Sequence, residues 1–124
     1  MRLTQEQSVL SLPETFDANQ NSTAECLLNP DGKFLYVANR GHNSIAGFSV
    51  NQSNGHLARV SITPTEAVPR SFTISPDGRH LYVAGEASGR VASYAIQTSG
   101  ELKPLAVVDS GPISWAILAV DCNR

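Results

Sequence analysis

The chain has 124 residues, 41% of them hydrophobic, which is enough to bury a core if the topology closes. A formal net charge of -2 and an isoelectric point near 5.8 leave no excess of Lys and Arg for a phosphate-tracking stripe, which excludes a nucleic-acid partner. No stretch approaches the roughly 20 apolar residues of a membrane span, and Met1 is followed by RLTQEQ, neither a basic leader nor an apolar segment; the expectation is a soluble, cytoplasmic chain with no membrane partner.

In chain order, Arg2 to Leu10 reads as the outer strand of a preceding unit. A first four-stranded unit, 24–62, follows as Ala24 to Leu28, Phe34 to Ala38, Ser44 to Val50 and Leu57 to Ile62. A second, 71–108, follows as Ser71 to Ser75, His80 to Ala84, Val91 to Ile96 and Lys103 to Val108. Asp31-Gly32 and Asp77-Gly78 stand between the first two strands of each unit, where a hairpin needs residues that accept positive φ. Ser114 to Val120 reads as the innermost strand of a following unit.

The units are copies. PDGKFLYVAN at 30–39 returns as PDGRHLYVAG at 76–85, a spacing of 46 with seven of ten positions identical. The same offset carries Ile45 to Val91, Phe48 to Tyr94 and Val50 to Ile96, while Gly55 and Leu57 return one residue early as Gly100 and Leu102. A period in the forties with four short strands per unit is the mark of propeller blades. The runs FLYVA and LYVA are apolar on both faces, as a sheet sandwiched between neighbours requires. The fold class is therefore all-β, a β-propeller fragment of two complete four-stranded blades with flanking strands of adjacent blades. Open blade edges carry unpaired backbone groups, so homo-oligomerisation through them is an expected way to complete a ring.

Cys26 and Cys122 lack CxxC or Cys/His spacing, so both read as reduced thiols, and neither a metal site nor a cofactor is expected. Residues common to both units build the blade, whereas polar residues present in only one are free for other work. This leaves Glu25 opposite Ser71, Arg40 opposite Glu86, His42 opposite Ser88, and Arg70 opposite Ala24. Glu25 and Arg70 fall at the starts of innermost strands, which converge on the central channel. Arg40 and His42 lie in the loop after the second strand. Asn39 and Ser44 read as turn-shaping, and Trp115, opposite Phe72 in the repeat, as core packing.

The segments QSVLSLPETF, AECLLNPDGKFLYVANRGHNSIAGFSV and VPRSFTISPDGRHLYVA resemble the C-terminal blades of the seven-bladed lactonase family that includes 6-phosphogluconolactonases and carboxymuconate-lactonizing enzymes. The resemblance covers essentially the whole chain, and the segments AE, NRGHNSI and PR are more particular than the PDG turn. It implies hydrolysis of a sugar-acid lactone such as 6-phosphogluconolactone, in the pentose phosphate branch of carbohydrate metabolism. The partner is then a small lactone or acidic sugar, and the family's first four or so blades are missing here. Lactone opening needs a base for water, a cation for the developing oxyanion and a holder for the substrate's anion. Glu25 is the expected base, His42 the expected proton donor, and Arg40 and Arg70 the expected anion binders. Two alternatives stand beside this: a muconate-lactonizing cycloisomerase, and a catalytically silent fragment that serves as a binding or assembly module.

Overall fold

The computed structural model describes residues 1–112 and 114–122. After a 3-10 turn at Ala18–Gln20, eight strands follow: β1 (Ser22–Leu28), β2 (Phe34–Arg40), β3 (Ser44–Val50), β4 (Leu57–Pro64), β5 (Pro69–Ile74), β6 (His80–Gly85), β7 (Arg90–Ile96) and β8 (Leu102–Asp109). They form two antiparallel four-stranded sheets in the orders β1-β2-β3-β4 and β5-β6-β7-β8. Each sheet is one blade, built from one copy of the repeat. The first strand of each lies innermost, β1 packing beside β5.

The hairpins form for the reason their sequence states. Gly32 and Gly78 adopt φ of 72° and 73°, the left-handed region that only glycine enters without cost. The preceding Asp31 and Asp77 carboxylates accept from the backbone N–H groups of Lys33 and Arg79, both at 3.0 Å. Exposed Asp77 also accepts from the Ser75 hydroxyl, and these bonds hold its carboxyl below the ordinary carboxylate range.

The core lies between the blades. Tyr36, Ala38 and Ile45 of the first blade and Phe72, Leu81, Val83, Ala92, Tyr94 and Leu102 of the second form one buried cluster. Polar stitches cross it. The Tyr36 hydroxyl donates to the Gly100 carbonyl at 2.7 Å, and the Tyr94 hydroxyl donates back to the first blade, at Pro64 O (3.1 Å) at the end of β4 and at Thr65 Oγ1 (2.8 Å) in the linker that follows. In the same linker the buried Glu66 carboxylate pairs with Arg90 at 2.9 Å.

The flanking runs depart from expectation. Neither 2–10 nor 114–120 is a strand, because a strand is defined by its ladder and neither run pairs with a neighbour among the described residues. Both nonetheless lie against the blades. Gln7 exchanges hydrogen bonds with the Leu57 backbone (2.9 and 2.7 Å), and Arg59 donates to the carbonyls of Leu10 and Leu12. At the other end Ile117 N donates to Ser71 Oγ and Ala119 N to Thr73 Oγ1. Asn39 is an anchor and not a turn-shaping residue: fully buried, it holds the Ser11 carbonyl, the Ser11 hydroxyl and Ser44 Oγ. Cys26 and Cys122 are unbridged, and no described helix is long and apolar enough to cross a membrane.

Candidate functional site

Both innermost strands begin with a β-bulge. In β1 the register slips between Thr23 and Cys26, and in β5 between Pro69 and Ser71, so each strand carries one residue more than its partner. Bulges re-aim side chains, and these two sit at Glu25 and Arg70. Glu25 reaches across to the second blade, where its Oε2 accepts from Ser71 Oγ (2.9 Å) and Phe72 N (3.0 Å). Ser71 Oγ in turn accepts from Ile117 N at 3.3 Å. One carboxylate oxygen is thus fixed, while Oε1 takes no hydrogen bond from the described residues and remains open to accept a proton.

Glu25, Arg40 and Arg70 line one open cavity of about 470 Å³, together with Ser71 and Trp115. Arg40, the last residue of β2, makes a single 3.5 Å contact from Nη2 to Thr23 O, and its Nε is buried with no partner among the described residues. A buried, unsatisfied donor on a permanent cation is costly unless something binds it. Arg70 differs. Its Nη1 pairs with Glu86 Oε2 at 3.2 Å, and its guanidinium lies 4.7 Å from the centre of the Trp115 ring.

His42 is not part of this lining. Its Nδ1 meets Ser44 Oγ at 2.8 Å, its backbone N–H donates to Asn21 Oδ1, and its ring stands edge-on to Phe16 at 4.8 Å. Three of the four expected residues therefore share the cavity and the fourth packs outside it. Sequence reasoning placed Trp115 in the core, yet it is 61% exposed and walls the cavity. The structure sets Ile117 against Ser71, which puts Trp115 opposite Pro69 and not Phe72, on a run that forms no strand, and the sequence could not show that the ring would be used by a cation. Glu86 and Ser71 were seen only as the repeat counterparts of Arg40 and Glu25, although both touch the expected residues directly. A second cavity, about 670 Å³, is also lined by Trp115, with Glu86, Ser88 and Asp109 among others. No cluster of His, Cys, Asp and Glu among the described residues could hold a metal ion.

Comparison with known proteins agrees with this architecture. Residues 1–115 match the family model described as lactonase, 7-bladed beta-propeller. A 6-phosphogluconolactonase of Bacillus subtilis is 48% identical over 67 residues, which cover 53% of this chain and 19% of that protein. Among solved structures, a periplasmic gluconolactonase of Pseudomonas aeruginosa superposes with a TM-score of 0.82 at 33% identity, covering 91% of this chain and 32% of that one. A Lactobacillus plantarum protein gives 0.81 at 34% identity, covering 87% and 32%. The chain spans between about a fifth and a third of the length of these relatives. With two blades in place and the family model matched over nearly its whole length, the chain belongs to the lactonase family of seven-bladed β-propellers.

Proposed function

We propose that the chain carries part of the active site of a lactonase that opens a sugar-acid lactone such as 6-phosphogluconolactone. The observation that supports this most directly is the shared cavity of Glu25, Arg40 and Arg70, in which the Arg40 side chain makes one long hydrogen bond among the described residues. Glu25 Oε1 takes a proton from water as its hydroxyl adds to the lactone carbonyl. The oxyanion then collapses, the ring C–O bond breaks, and the proton returns to the departing alkoxide. Arg40 and Arg70 hold the substrate's anionic group and keep the carbonyl within reach of that water. His42, held by Ser44 outside the lining, has no part in these steps.

Hydrolysis of 6-phosphogluconolactone, corrected for spontaneous opening, tests the reading on chain whose mass in solution is measured in the same preparation. Glu25→Gln keeps an oxygen acceptor for Ser71 and Phe72 N while removing the base, so it lowers kcat by roughly 10²–10⁴-fold with an unchanged unfolding midpoint. Equal loss of stability, or no loss of rate, refutes the assignment. A second reading, an assembly module, is favoured by the apolar outer strand β8, where Leu105, Val107 and Val108 are 52%, 51% and 59% exposed. A folded chain that shows no hydrolysis but self-associates would support that reading.

A further inference from the structure

The two arginines of the cavity are not equivalent. Arg40 ends β2 with an unpaired, buried Nε and one long contact to a carbonyl. Arg70 has its edge on the Glu86 carboxylate and its face on Trp115. The repeat sharpens the contrast, because the positions that hold Arg70 and Glu86 in the second blade hold Ala24 and Arg40 in the first. The ion pair belongs to one blade only and is not needed to build one.

The backbone arranges the pair before any ligand arrives. Arg70 N and Glu86 N both donate to the same carbonyl, that of Val68, at 2.8 and 2.9 Å. Val68 has φ of 54°, a conformation that a β-branched residue adopts only when its surroundings impose it. Its own N–H is held by Asn43 Oδ1 at 3.0 Å. One strained residue therefore sets the bulge that carries Arg70 and the loop that carries Glu86. Glu86 also lines the larger cavity, together with Asp109 and Trp115.

Resting on the lactonase reading of this cavity, we propose that Glu86 determines which ligand charge the site accepts, by keeping Arg70 partly neutralised. With Glu86 in place, Arg70 offers the ligand less net positive charge than Arg40, whose one side-chain hydrogen bond among the described residues is a 3.5 Å contact to Thr23 O. The hold on a dianionic phosphate is weakened more than that on a singly charged carboxylate, because Glu86 occupies one edge of Arg70 and repels the second charge. Glu86 is a specificity-determining, positioning residue that takes no proton and touches no reacting atom.

Binding of the open acids tests this without requiring turnover, so failure of the hydrolysis assay and failure of this proposal are distinguishable. Calorimetric titration of the full chain with gluconate and with 6-phosphogluconate at low ionic strength gives a ratio of affinities. Glu86→Gln is expected to raise the affinity for 6-phosphogluconate by about two- to fivefold, the range for a partly exposed charge pair, and to change that for gluconate by less than about 1.5-fold. Glu86→Asp, which restores the charge, is expected to return the ratio towards that of the unmodified chain. Adding Arg70→Gln to Glu86→Gln is expected to abolish the gain, which a structural role for Glu86 would not produce. Should Glu86→Gln lower the unfolding midpoint, Glu86→Ser supplies the same ratio from a shorter neutral side chain on the same loop. An unchanged ratio in the folded neutral variants, a gain that survives loss of Arg70, or no binding of 6-phosphogluconate to them overturns the proposal.

Discussion

The two blades are written in nearly the same words, yet they use them differently. Tyr36 of the first blade is fully buried and its hydroxyl reaches Gly100 of the second. Its counterpart Tyr82 is half-buried, stacks on His80, and has no hydroxyl partner among the described residues. The glycines repeat the lesson. Gly100 (φ 87°) lies directly under the Phe34 ring, whereas its counterpart Gly55 (φ 75°) has nothing within 4 Å. The repeat encodes a surface that becomes a core only where a neighbouring blade lies against it. Identical residues thus have unequal energetic weight, and mutation should expose the inequality.

The largest difference is expected at the glycines. Gly55→Ala forces a left-handed conformation on a residue with a Cβ, at a cost of about 1–2 kcal/mol. Gly100→Ala incurs the same strain and also drives a methyl into the Phe34 ring, for a further 1–3 kcal/mol or so. Urea midpoints of the two variants, measured side by side, should differ by roughly that second amount; equal midpoints would mean that the Phe34 ring yields freely.

The tyrosines come next. Tyr36→Phe strips the buried Gly100 carbonyl of its donor and is expected to cost about 1–3 kcal/mol, while Tyr82→Phe stays within about 0.5 kcal/mol of the unmodified chain. Burial, with a smaller contribution from the Asp31 carboxylate, pushes the Tyr36 phenol up to about 12. An unfolded tyrosine titrates near 10. Between these values the unfolded chain loses its proton first, so the contribution of neutral Tyr36 is complete below about pH 10 and is lost as pH rises towards 12. Tyr94, also raised chiefly by burial, acts in the same direction. Stability followed across pH 9 to 12 should fall, and less steeply in Tyr36→Phe than in Tyr82→Phe.

What could be read from the sequence follows the same division. Alternation, the PDG turns and the 46-residue spacing are properties of one unit, and they located all eight paired strands to within two residues at every end. Glu25, Arg40 and Arg70 were recognisable because each breaks the repeat, and the structure brings those three together. The bulges that aim Glu25 and Arg70 were not legible: one extra residue in a short strand leaves no mark in the pattern when both flanking residues are still compatible with a strand. The runs 2–10 and 114–120 have strand composition but no ladder, since pairing belongs to the partner and not to the segment itself. His42 was grouped with Arg40 by proximity in sequence, but past the end of β2 the chain turns at Gly41 and places the ring against Phe16 and Ser44 instead of the cavity.

The smallest expected effect lies in the turn between the second and third strands. Asn43 and its repeat counterpart Gly89 both occupy the left-handed region, at φ of 56° and 65°. Glycine is sufficient for that geometry in the second blade, so conformation alone does not call for asparagine in the first. What Asn43 adds is its Oδ1, which accepts from Gly41 N at 3.3 Å and from Val68 N at 3.0 Å and so ties the first blade to the strained linker residue. Asn43→Gly keeps the turn, loses both bonds, and should cost about 0.5–1.5 kcal/mol in urea unfolding. Because Val68 carries the carbonyl shared by Arg70 and Glu86, the same variant should loosen that pair, and amide exchange at Arg70 and Glu86 should quicken while exchange in β2 and β3 is unchanged. Uniform acceleration across the first blade would mean that Asn43 serves the turn itself; acceleration confined to the second blade's site residues would mean that the inter-blade linker holds them in place.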